Sequence, residues 1–332
     1  MTISTDINHL NSYLIPLDLI RARMQEVLKA DNPDIDSIID YLTANSGKMI
    51  RPQMVYLTAS LSDHDPEVVR DVAVAIELIH LASLVHDDVI DHAKMRRGRE
   101  SINSIWGNHA SVLTGDYLFA SAFNLINLHG RHDIMENVTT TIRIMCRGEI
   151  KQMSLARDLD ISEEQYLEKT HDKTACLFAS SCKVGALTGT ISPETVYALE
   201  QFGLCLGYAY QILDDLLDFL SESSLLGKSV GTDLREGNIT IPVIYALQNK
   251  DYGGRLRLLL ENGELTAPQM AEVVQVLIDS KAVQHSLQLS RQFSTRGTAY
   301  LEDLPMSPAI KDIKLMAGYL LENCYRQMLR NG

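Results

Sequence analysis

Residues 81–97 read LASLVHDDVIDHAKMRR, an apolar run that ends in three aspartates and is followed by two arginines. Two of the aspartates, Asp87 and Asp91, are four residues apart and therefore share one face of a helix. Carboxylates at the C-terminal end of a helix oppose the helix dipole, which favours cations at that end. The stretch therefore predicts a helix whose end binds a hard divalent cation such as Mg²⁺, which takes oxygen ligands and can bridge to a phosphorylated substrate.

The same aspartate spacing recurs at residues 211–218, which read QILDDLLD. One acidic helix end is most often a solvated surface, so the first cluster alone would be weak support for a metal site. Two clusters with one spacing, each closing an apolar helical run, are difficult to explain as two solvated surfaces. We therefore expect two facing acidic clusters that bind divalent metal, formed by Asp87, Asp88, Asp91, Asp214, Asp215 and Asp218.

Helical periodicity dominates the rest of the chain, and the interval between Pro66 and Pro193 contains no proline. Alternating strand-like runs joined by Asn-Gly or Asp-Gly turns are absent. The sequence therefore predicts an all-α bundle, and no Pro/Ser-rich linker divides it, so we expect one domain over residues 1–332. The expected helices are 17–30, 35–46, 52–62, 66–92, 109–129, 132–158, 162–190, 193–221, 239–249, 254–262, 267–279, 282–302 and 308–330. Ser162 to Gln165 and Thr266 to Gln269 have the form of capping boxes, which predict helix starts.

Composition narrows the class of protein. The 332 residues are 45% hydrophobic and 22% charged, so a large core is available. The net charge of -13 argues against nucleic acid as a partner, because phosphate backbones require a basic surface. Five cysteines form no CxxC pair, and neither a signal-peptide pattern nor a run of ~20 apolar residues is present. We therefore expect a cytoplasmic protein with reduced thiols and no transmembrane segment.

Basic residues stand near the first aspartate cluster. Lys48 and Arg51 lie at a junction between two predicted helices, where backbone N–H groups, the helix dipole and two cations can converge on an anion. Arg96 and Arg97 follow the aspartates directly, and arginine forks suit phosphate oxygens. His80 lies two turns before the first aspartate. Each of these residues alone also fits an ordinary explanation, such as surface ion pairing or a satisfied core histidine.

Further polar residues stand near the second cluster. Lys173 and Thr174 lie inside an apolar helical run, and a lysine that faces the core needs an anionic partner. Gln211 shares a helix face with Asp214, and Lys228 occupies a glycine-rich loop that lacks the P-loop pattern. Metal-binding clusters, basic groups and long apolar helices together fit a substrate with a diphosphate head and an apolar tail.

These residues fall within motifs that resemble those of a known family, the trans-isoprenyl (polyprenyl) diphosphate synthases. The motifs are GKMIRP, HDDVIDHAKMRRG, GDYLFASAF, DKTACLF, FGLCLGYAYQILDDLLDF and GKSVGTDLREG. The resemblance covers nearly the whole chain and is strongest to bacterial long-chain members, especially the octaprenyl diphosphate synthases that make quinone side chains. It implies an all-α isoprenoid synthase bundle around a deep central cavity, and usually a homodimer.

The resemblance also implies the reaction and the role of each residue. The double bond of isopentenyl diphosphate would attack the carbocation that forms when an allylic diphosphate, such as farnesyl diphosphate, loses its diphosphate. The residues that hold the isopentenyl diphosphate would be Lys48, Arg51, His80 and Arg97. Those that bind Mg²⁺ would be Asp87, Asp91 and Asp214, with Asp88, Asp215 and Asp218 completing the motifs. The allylic diphosphate would be held by Arg96, Lys173 and Lys228, while the oxygens of Thr174 and Gln211 face the carbocation.

One position departs from the family pattern. Relatives commonly carry a lysine where this chain has Asn238, and that lysine helps to hold diphosphate. We expect Arg235 or Lys228 to compensate for its loss.

Chain length is expected to depend on residues beside the first cluster. Ala82 and Ser83 are small and lie about 6–7 Å along the helix from the first aspartate, at 1.5 Å per residue. A bulky aromatic side chain there would block a growing prenyl chain, so we expect a long product. Phe123 and Ile126, on the predicted helix 109–129, are candidates for the floor of the tunnel, although both could simply be core residues.

Three other functions are compatible with parts of the pattern. A class I terpene cyclase also uses an aspartate-rich motif, but it would not need Lys48, Arg51 and a second DDxxD. A non-catalytic partner subunit of a heteromeric synthase would be expected to have degraded motifs, and both motifs are intact here. A synthase of shorter products, geranylgeranyl or farnesyl diphosphate, remains an alternative.

Overall fold

The structure, a computed structural model, describes residues 17–44, 47–154, 156–220, 230–261, 263 and 265–329. Its regular structure is helical apart from one hairpin of two-residue strands, which confirms the predicted all-α class. The elements, in chain order, are α1 (Leu17–Leu28), α2 (Pro33–Thr43), α3 (Ile50–Ala59), α4 (Pro66–Ile90), β1 (Met95–Arg96), β2 (Arg99–Glu100), α5 (Ile102–Leu128), α6 (His132–Ser154), α7 (Glu163–Thr170), a π-helical turn (His171–Ala175), α8 (Cys176–Leu187), α9 (Pro193–Leu220), α10 (Thr232–Arg235), α11 (Ile241–Leu247), α12 (Gly253–Glu261), α13 (Ala267–Asp279), α14 (Ala282–Glu302) and α15 (Pro308–Leu329). None of the described helices has both the length and the apolar composition that a membrane span requires.

The chain divides into two compact units, of which the first comprises Met1–Ile142, Ser180–Glu200 and Pro305–Ile313. Its central element is α4, which packs against α5 and α3. Asp65 caps the start of α4 by accepting from the N–H of Glu67, and Pro66 occupies the first turn, where its missing N–H costs nothing. The helix is buried on most sides, so it forms the core of the unit and holds its C-terminal end, with the first aspartates, in a fixed place.

The second unit comprises Arg143–Ala179, Gln201–Leu304 and Lys314–Gly332. Its apolar core includes Ile212 on α9 together with buried side chains of α11, α12 and α13. Helix α14 packs against α11, and the Ser290 hydroxyl on α14 donates to the backbone oxygen of Ala209 on α9 at 3.0 Å. These contacts fix the segment of α9 that carries the second aspartate cluster.

Several predicted elements have different bounds in the structure. The helix predicted over 109–129 begins at Ile102 and is kinked at Gly107, whose φ of 82° lies in the left-handed region that favours glycine. The helix predicted over 162–190 is two helices, α7 and α8, joined by the π-helical turn. The hairpin and α10 were not predicted. The predicted capping boxes at Ser162 and Thr266 are confirmed, each with its glutamine three residues on.

Candidate active site

The first aspartate cluster is held at the end of α4 by the hairpin that follows it. The N–H of Asp91 donates to the backbone oxygen of Asp87 at 2.8 Å, which closes the last turn of the helix. The hairpin brings Arg96 back to the helix, where its Nε donates to Oδ1 of the buried Asp88 at 2.7 Å. Asn103 donates to the backbone oxygens of Asp88 and Ala93 and so ties the turn to α5. Arg96, predicted to bind diphosphate, thus forms an ion pair with Asp88, the ordinary alternative for this residue, and short-range structure builds the contact.

The predicted basic junction lies against the same hairpin. Gly47 has φ +59°, in the left-handed region that favours glycine, and a methyl group added to it would lie 2.5 Å from Nη1 of Arg97, so a larger residue would be strained and would displace the Arg97 guanidinium. Lys48 is exposed, and its backbone oxygen accepts from the side chain of Gln53 at 2.9 Å. Met49 adopts a left-handed conformation just before α3 begins. The loop before α3 and the end of the hairpin thus meet at the Arg97 guanidinium.

The charges of the first unit converge on a buried glutamate that the sequence analysis did not consider. Burial raises the pKa of Glu77 to about 7, and the charges of Arg51 and Arg97 act in the opposite direction. Burial lowers the pKa of His80 well below its usual range, and the charges of Arg51, Arg97 and Arg96 lower it further. His80 is therefore a neutral imidazole at pH 7 that can donate one hydrogen bond and accept another.

The second cluster lies near the end of α9. Asp214 is exposed, whereas Asp215 is buried and Asp218 is half-buried. Oδ1 and Oδ2 of Asp218 accept from the backbone N–H groups of Thr232 and Asp233, each at 3.1 Å. Asp218 therefore anchors the start of α10 and brings Asp233 beside the cluster.

A chain of hydrogen bonds links two predicted catalytic residues to this cluster. The Thr174 hydroxyl donates to Oε1 of Gln211 at 2.8 Å, and Nε2 of Gln211 donates to Oδ1 of Asp215 at 2.8 Å. The hydroxyl of Tyr166 donates to Oδ2 of Asp215 at 2.6 Å. Tyr166 was not among the predicted site residues, because its contact with Asp215 joins residues 49 positions apart in the sequence.

The π-helical turn positions Lys173. Its Nζ lies 3.0 Å from Oε2 of Glu149 and 3.3 Å from Oε1 of Gln152, both on α6. Its neighbour Asp172 is buried, and the Asp172 carboxylate accepts hydrogen bonds from Nε and Nη2 of Arg147, each at 3.0 Å. A π-helical turn shifts the register of side chains by one residue and is frequent at functional sites. The carboxylate of Asp172 thus anchors the turn to α6.

Two carboxylates of the second cluster have raised pKa values. Burial, and next the charge of Asp233, raise the pKa of Asp215 to about 7 and that of Asp218 to about 6. Such shifts mark a place where a cation would be favoured. No three carboxylate, histidine or cysteine side chains of the described residues lie close enough to hold a metal ion by themselves. Mg²⁺ usually uses one or two carboxylates, with phosphate oxygens and water completing its shell.

Comparison with known proteins identifies the fold and the family. The polyprenyl synthetase model matches residues 32–277. The chain belongs to this family. It is 34% identical over 304 residues to heptaprenyl diphosphate synthase component 2 of Bacillus subtilis, covering 92% of this chain and 87% of the relative. It is also 34% identical to the short chain isoprenyl diphosphate synthase of Methanothermobacter thermautotrophicus (85% and 88% covered), and 31% identical to the octaprenyl diphosphate synthase of Escherichia coli (87% and 90% covered).

The polyprenyl synthase of Caulobacter crescentus, crystallised with calcium and isoprenyl diphosphate, superposes with a TM-score of 0.87. It is 30% identical, and the match covers 96% of this chain and 97% of the other. The matches to curated synthases and to this structure confirm that the chain is a trans-prenyltransferase, which excludes the terpene cyclase alternative.

In this polyprenyl synthetase the predicted chain-length residues lie on α4 and α5, which pack together. Ala82 is fully buried, and the Ser83 hydroxyl donates to a backbone oxygen of its own helix at 2.8 Å. Ile126 is buried, and the ring of Phe123 stacks on Phe119 with centroids 6.3 Å apart. Phe119 was not among the predicted residues, and its position one turn before Phe123 could have indicated it.

The structure also describes the surroundings of Asn238, the position at which this chain departs from the family pattern. Nδ2 of Asn238 donates to Oδ1 of Asp233 at 3.3 Å, and its Oδ1 accepts from Nζ of Lys169. Arg235, one of the two expected substitutes for the missing lysine, donates instead to the backbone oxygens of Val230 and Leu265. The other, Lys228, lies outside the described residues.

Proposed function

We propose that this chain catalyses the Mg²⁺-dependent, head-to-tail condensation of isopentenyl diphosphate with an allylic diphosphate, with farnesyl diphosphate as the expected primer. The product would be a long-chain all-trans polyprenyl diphosphate, with octaprenyl diphosphate for quinone side chains as the leading candidate. The observation that carries this proposal is the pair of aspartate clusters, each fixed at the end of a long apolar helix with basic side chains around it. We further propose that residues 1–332 form one synthase domain, since the family model spans parts of both compact units.

The donor groups fit Mg²⁺. They are hard carboxylate oxygens, and the raised pKa values of Asp215 and Asp218 favour an added cation. The relative crystallised with calcium and isoprenyl diphosphate supports a divalent ion at such a site. When bound, Mg²⁺ would neutralise charge on the departing diphosphate. The residues that would hold it are Asp87, Asp91 and Asp214, with Asp88, Asp215 and Asp218 completing the clusters.

In the first unit, isopentenyl diphosphate would be held by four side chains: Lys48, Arg51, His80 and Arg97. Neutral His80 can donate one hydrogen bond to a phosphate oxygen without adding charge. Arg96 would bind the allylic diphosphate together with Lys173 and Lys228. Arg96 uses Nε and one terminal nitrogen on Asp88, and a guanidinium has five N–H donors, so it can serve both groups.

Thr174 and Gln211 would stabilise the allylic carbocation. The hydrogen-bonded chain fixes the direction of the Gln211 amide, because its N–H₂ donates to Asp215 and its oxygen accepts from Thr174. Both oxygens are thereby held in place with lone pairs available. Fixed dipoles of this kind stabilise developing charge without reorganisation. Departed diphosphate would remove the proton, while apolar walls exclude water.

Chain length is proposed to follow from the small side chains Ala82 and Ser83, with Phe123 and Ile126 forming the floor. The relatives at 31–34% identity include heptaprenyl, octaprenyl and short-chain synthases, so a shorter product is the alternative.

We propose a cytoplasmic homodimer with transient membrane contact during product release. Exposed apolar side chains on α5, among them Ile105, Val112 and Leu113, support a subunit contact.

A heteromeric enzyme is the second candidate, because the B. subtilis relative is named as one component of its synthase. One experiment separates the two. The purified chain is incubated with farnesyl diphosphate, labelled isopentenyl diphosphate and Mg²⁺, and product length is read by reversed-phase chromatography. Octaprenyl diphosphate from the chain alone supports the proposal. No condensation by the chain alone, with either farnesyl or dimethylallyl diphosphate as primer, would favour a partner subunit. A product that stops at C20 from farnesyl diphosphate, or at C15 from dimethylallyl diphosphate, would favour the alternative of a shorter chain.

Two variants test the site in the same assay. Asp214→Asn removes a proposed metal ligand and is expected to lower kcat by roughly 100-fold or more. Asp251→Asn makes the same chemical change at an exposed aspartate on the loop before α12 and should leave kcat unchanged. Equal activity of the two variants would contradict the metal role of the second cluster.

A further inference from the structure

Lys169 is a buried lysine in the second unit that none of the proposed roles uses. The residue is 6% exposed, and its Nζ donates to Oδ1 of Asn238 and to the backbone oxygen of Ile239, the latter at 3.4 Å. Removing an ammonium from water is costly unless it is hydrogen-bonded and faces negative charge. A lysine in this position therefore needs an explanation from its surroundings.

Those surroundings belong to the second aspartate cluster. Burial lowers the pKa of Lys169, the charges of Asp215 and Asp233 oppose that shift, and the charge of Lys173 adds to it. Asn238 joins Lys169 to Asp233, since it accepts from one and donates to the other. Lys169 and Lys173 thus form a pair of ammonium groups beside the carboxylates that we propose to bind metal. Each ammonium has a protein partner, Glu149 for Lys173 and Asn238 for Lys169, and a polyanion beside them would reduce the repulsion between the two positive charges.

The Asn238 side chain holds the Lys169 ammonium at a particular distance from the backbone of residue 238. An asparagine side chain plus one hydrogen bond spans roughly 6 Å from Cα, about the length of an extended lysine side chain. The ammonium of Lys169 therefore lies about as far from residue 238 as an ammonium carried by residue 238 itself would lie. Arg235 is positioned by other contacts, since Nε and Nη1 of its guanidinium donate to the backbone oxygens of Val230 and Leu265.

We propose that Lys169 is a substrate-binding cation of this synthase, whose ammonium group, held by the side chain of Asn238, contributes to binding the allylic diphosphate. This inference rests on the proposed function, since it names a further residue of the same site. Lys169 and Asn238 act as one unit: a lysine from α7 provides the charge, and the neutral amide of the loop before α11 positions it. A double substitution can therefore move the positive charge from residue 169 to residue 238.

The test is a charge-relocation cycle with Lys169→Met, Asn238→Lys and the double variant. Lys169→Met should raise the KM for the allylic diphosphate by roughly 10- to 100-fold, with a much smaller change for isopentenyl diphosphate, since one charge-assisted hydrogen bond is lost on one substrate. The double variant should recover most of that loss. Asn238→Lys alone should give no gain, because it adds a third ammonium to a pair that already repels.

A binding measurement complements the kinetics. Calorimetry with a thio-substituted farnesyl diphosphate, which does not ionise, should show the same loss in Lys169→Met and the same recovery in the double variant. Lys183→Met is the matched control, because Lys183 pairs with Glu200 at 3.1 Å in the first unit and should leave both substrates unaffected. Thermal unfolding of each variant identifies any that fails to fold. If Lys169→Met fails to fold, the affinity of the double variant for the allylic diphosphate decides whether the inference holds.

The outcomes are distinct. If wild-type protein condenses the substrates and Lys169→Met changes both KM values equally, or lowers only the melting temperature, Lys169 is a structural counter-ion and the inference is overturned. A double variant that folds but does not recover allylic affinity also overturns it. If wild-type protein does not condense the substrates but the binding cycle behaves as described, the proposed reaction fails while the assignment of Lys169 stands.

Discussion

Gly148 offers a sharp test of how the Lys173–Thr174 segment is positioned. It lies in α6, where a methyl group added to it would be 2.5 Å from Cβ and 3.0 Å from the carbonyl carbon of Asp172. Neither atom can move easily, because the Asp172 carboxylate is bonded to both Nε and Nη2 of Arg147 and to Nδ1 of His171. Gly148→Ala must therefore push α6 away from the π-helical turn.

The expected stability change combines two opposing effects. Overpacking a well-packed site costs about 1–3 kcal/mol. Replacing a glycine inside a helix by alanine contributes about 1 kcal/mol in the other direction. Because the clash involves a pinned Cβ, we expect the overpacking to be near its upper value, which leaves a net loss of about 2 kcal/mol. Gly318→Ala, at an exposed mid-helix glycine with no atom within 4 Å, is the control and should gain about 1 kcal/mol.

The effect on catalysis should exceed the effect on stability. Moving α6 displaces Glu149 and Gln152, which hold Lys173, and a displacement near 1 Å can cost up to roughly 100-fold in rate. Urea unfolding gives the stability, and steady-state assays give kcat under conditions where each variant is folded. A Gly148→Ala protein as stable as Gly318→Ala, with wild-type kcat, would show that this close approach does not position the site.

Three further predictions follow from the same structure. Tyr166→Phe leaves Oδ2 of the buried Asp215 without its phenolic donor and should lower the free energy of unfolding by about 1–3 kcal/mol in urea titrations; no change would mean that another donor replaces it. Metal-free protein should lose stability as pH rises from about 4 to 7, because a raised carboxyl pKa makes the native state hold protons that the unfolded chain has released. In thermal scans with a chelator, Asp218→Asn should reduce this dependence of the melting temperature on pH. Ile126→Ala should lengthen the product in chromatography whereas Leu125→Ala, an equally buried neighbour, should not; identical product spectra would refute the floor assignment.

The sequence predicts those parts of the site that depend on local spacing. The aspartates of each cluster are separated by one helical turn, so their placement on a helix follows from residue order alone. The capping boxes and the proline at the first turn of α4 are equally local and are found as expected. The all-α class follows from periodicity summed over many residues, which is why errors at single helix ends do not affect it.

The parts that the sequence does not predict depend on contacts between distant residues. Tyr166 meets Asp215 across 49 positions, and Lys169 meets Asn238 across 69, so no periodic pattern reports either contact. The π-helical turn has no simple signature because it differs from an α-helix by one inserted residue. The start of α5 was placed too late because Gly107 interrupts the apolar period, whereas the chain is helical on both sides of the kink.

The buried charges explain how a chain with net charge -13 can be suited to two diphosphates. Cations are gathered in the first unit around one buried glutamate, Glu77, whose pKa burial raises to about 7 against the charges of Arg51 and Arg97. In the second unit burial, and next the charge of Asp233, raise the pKa values of Asp215 and Asp218, although both carboxylates accept hydrogen bonds from protein donors. Under the proposed function the basic side chains would bind diphosphate, and the carboxylates of both clusters would bind the metal ion. Burying charged groups in this way lowers the stability of the free protein, which is the usual consequence of building a site for a charged ligand.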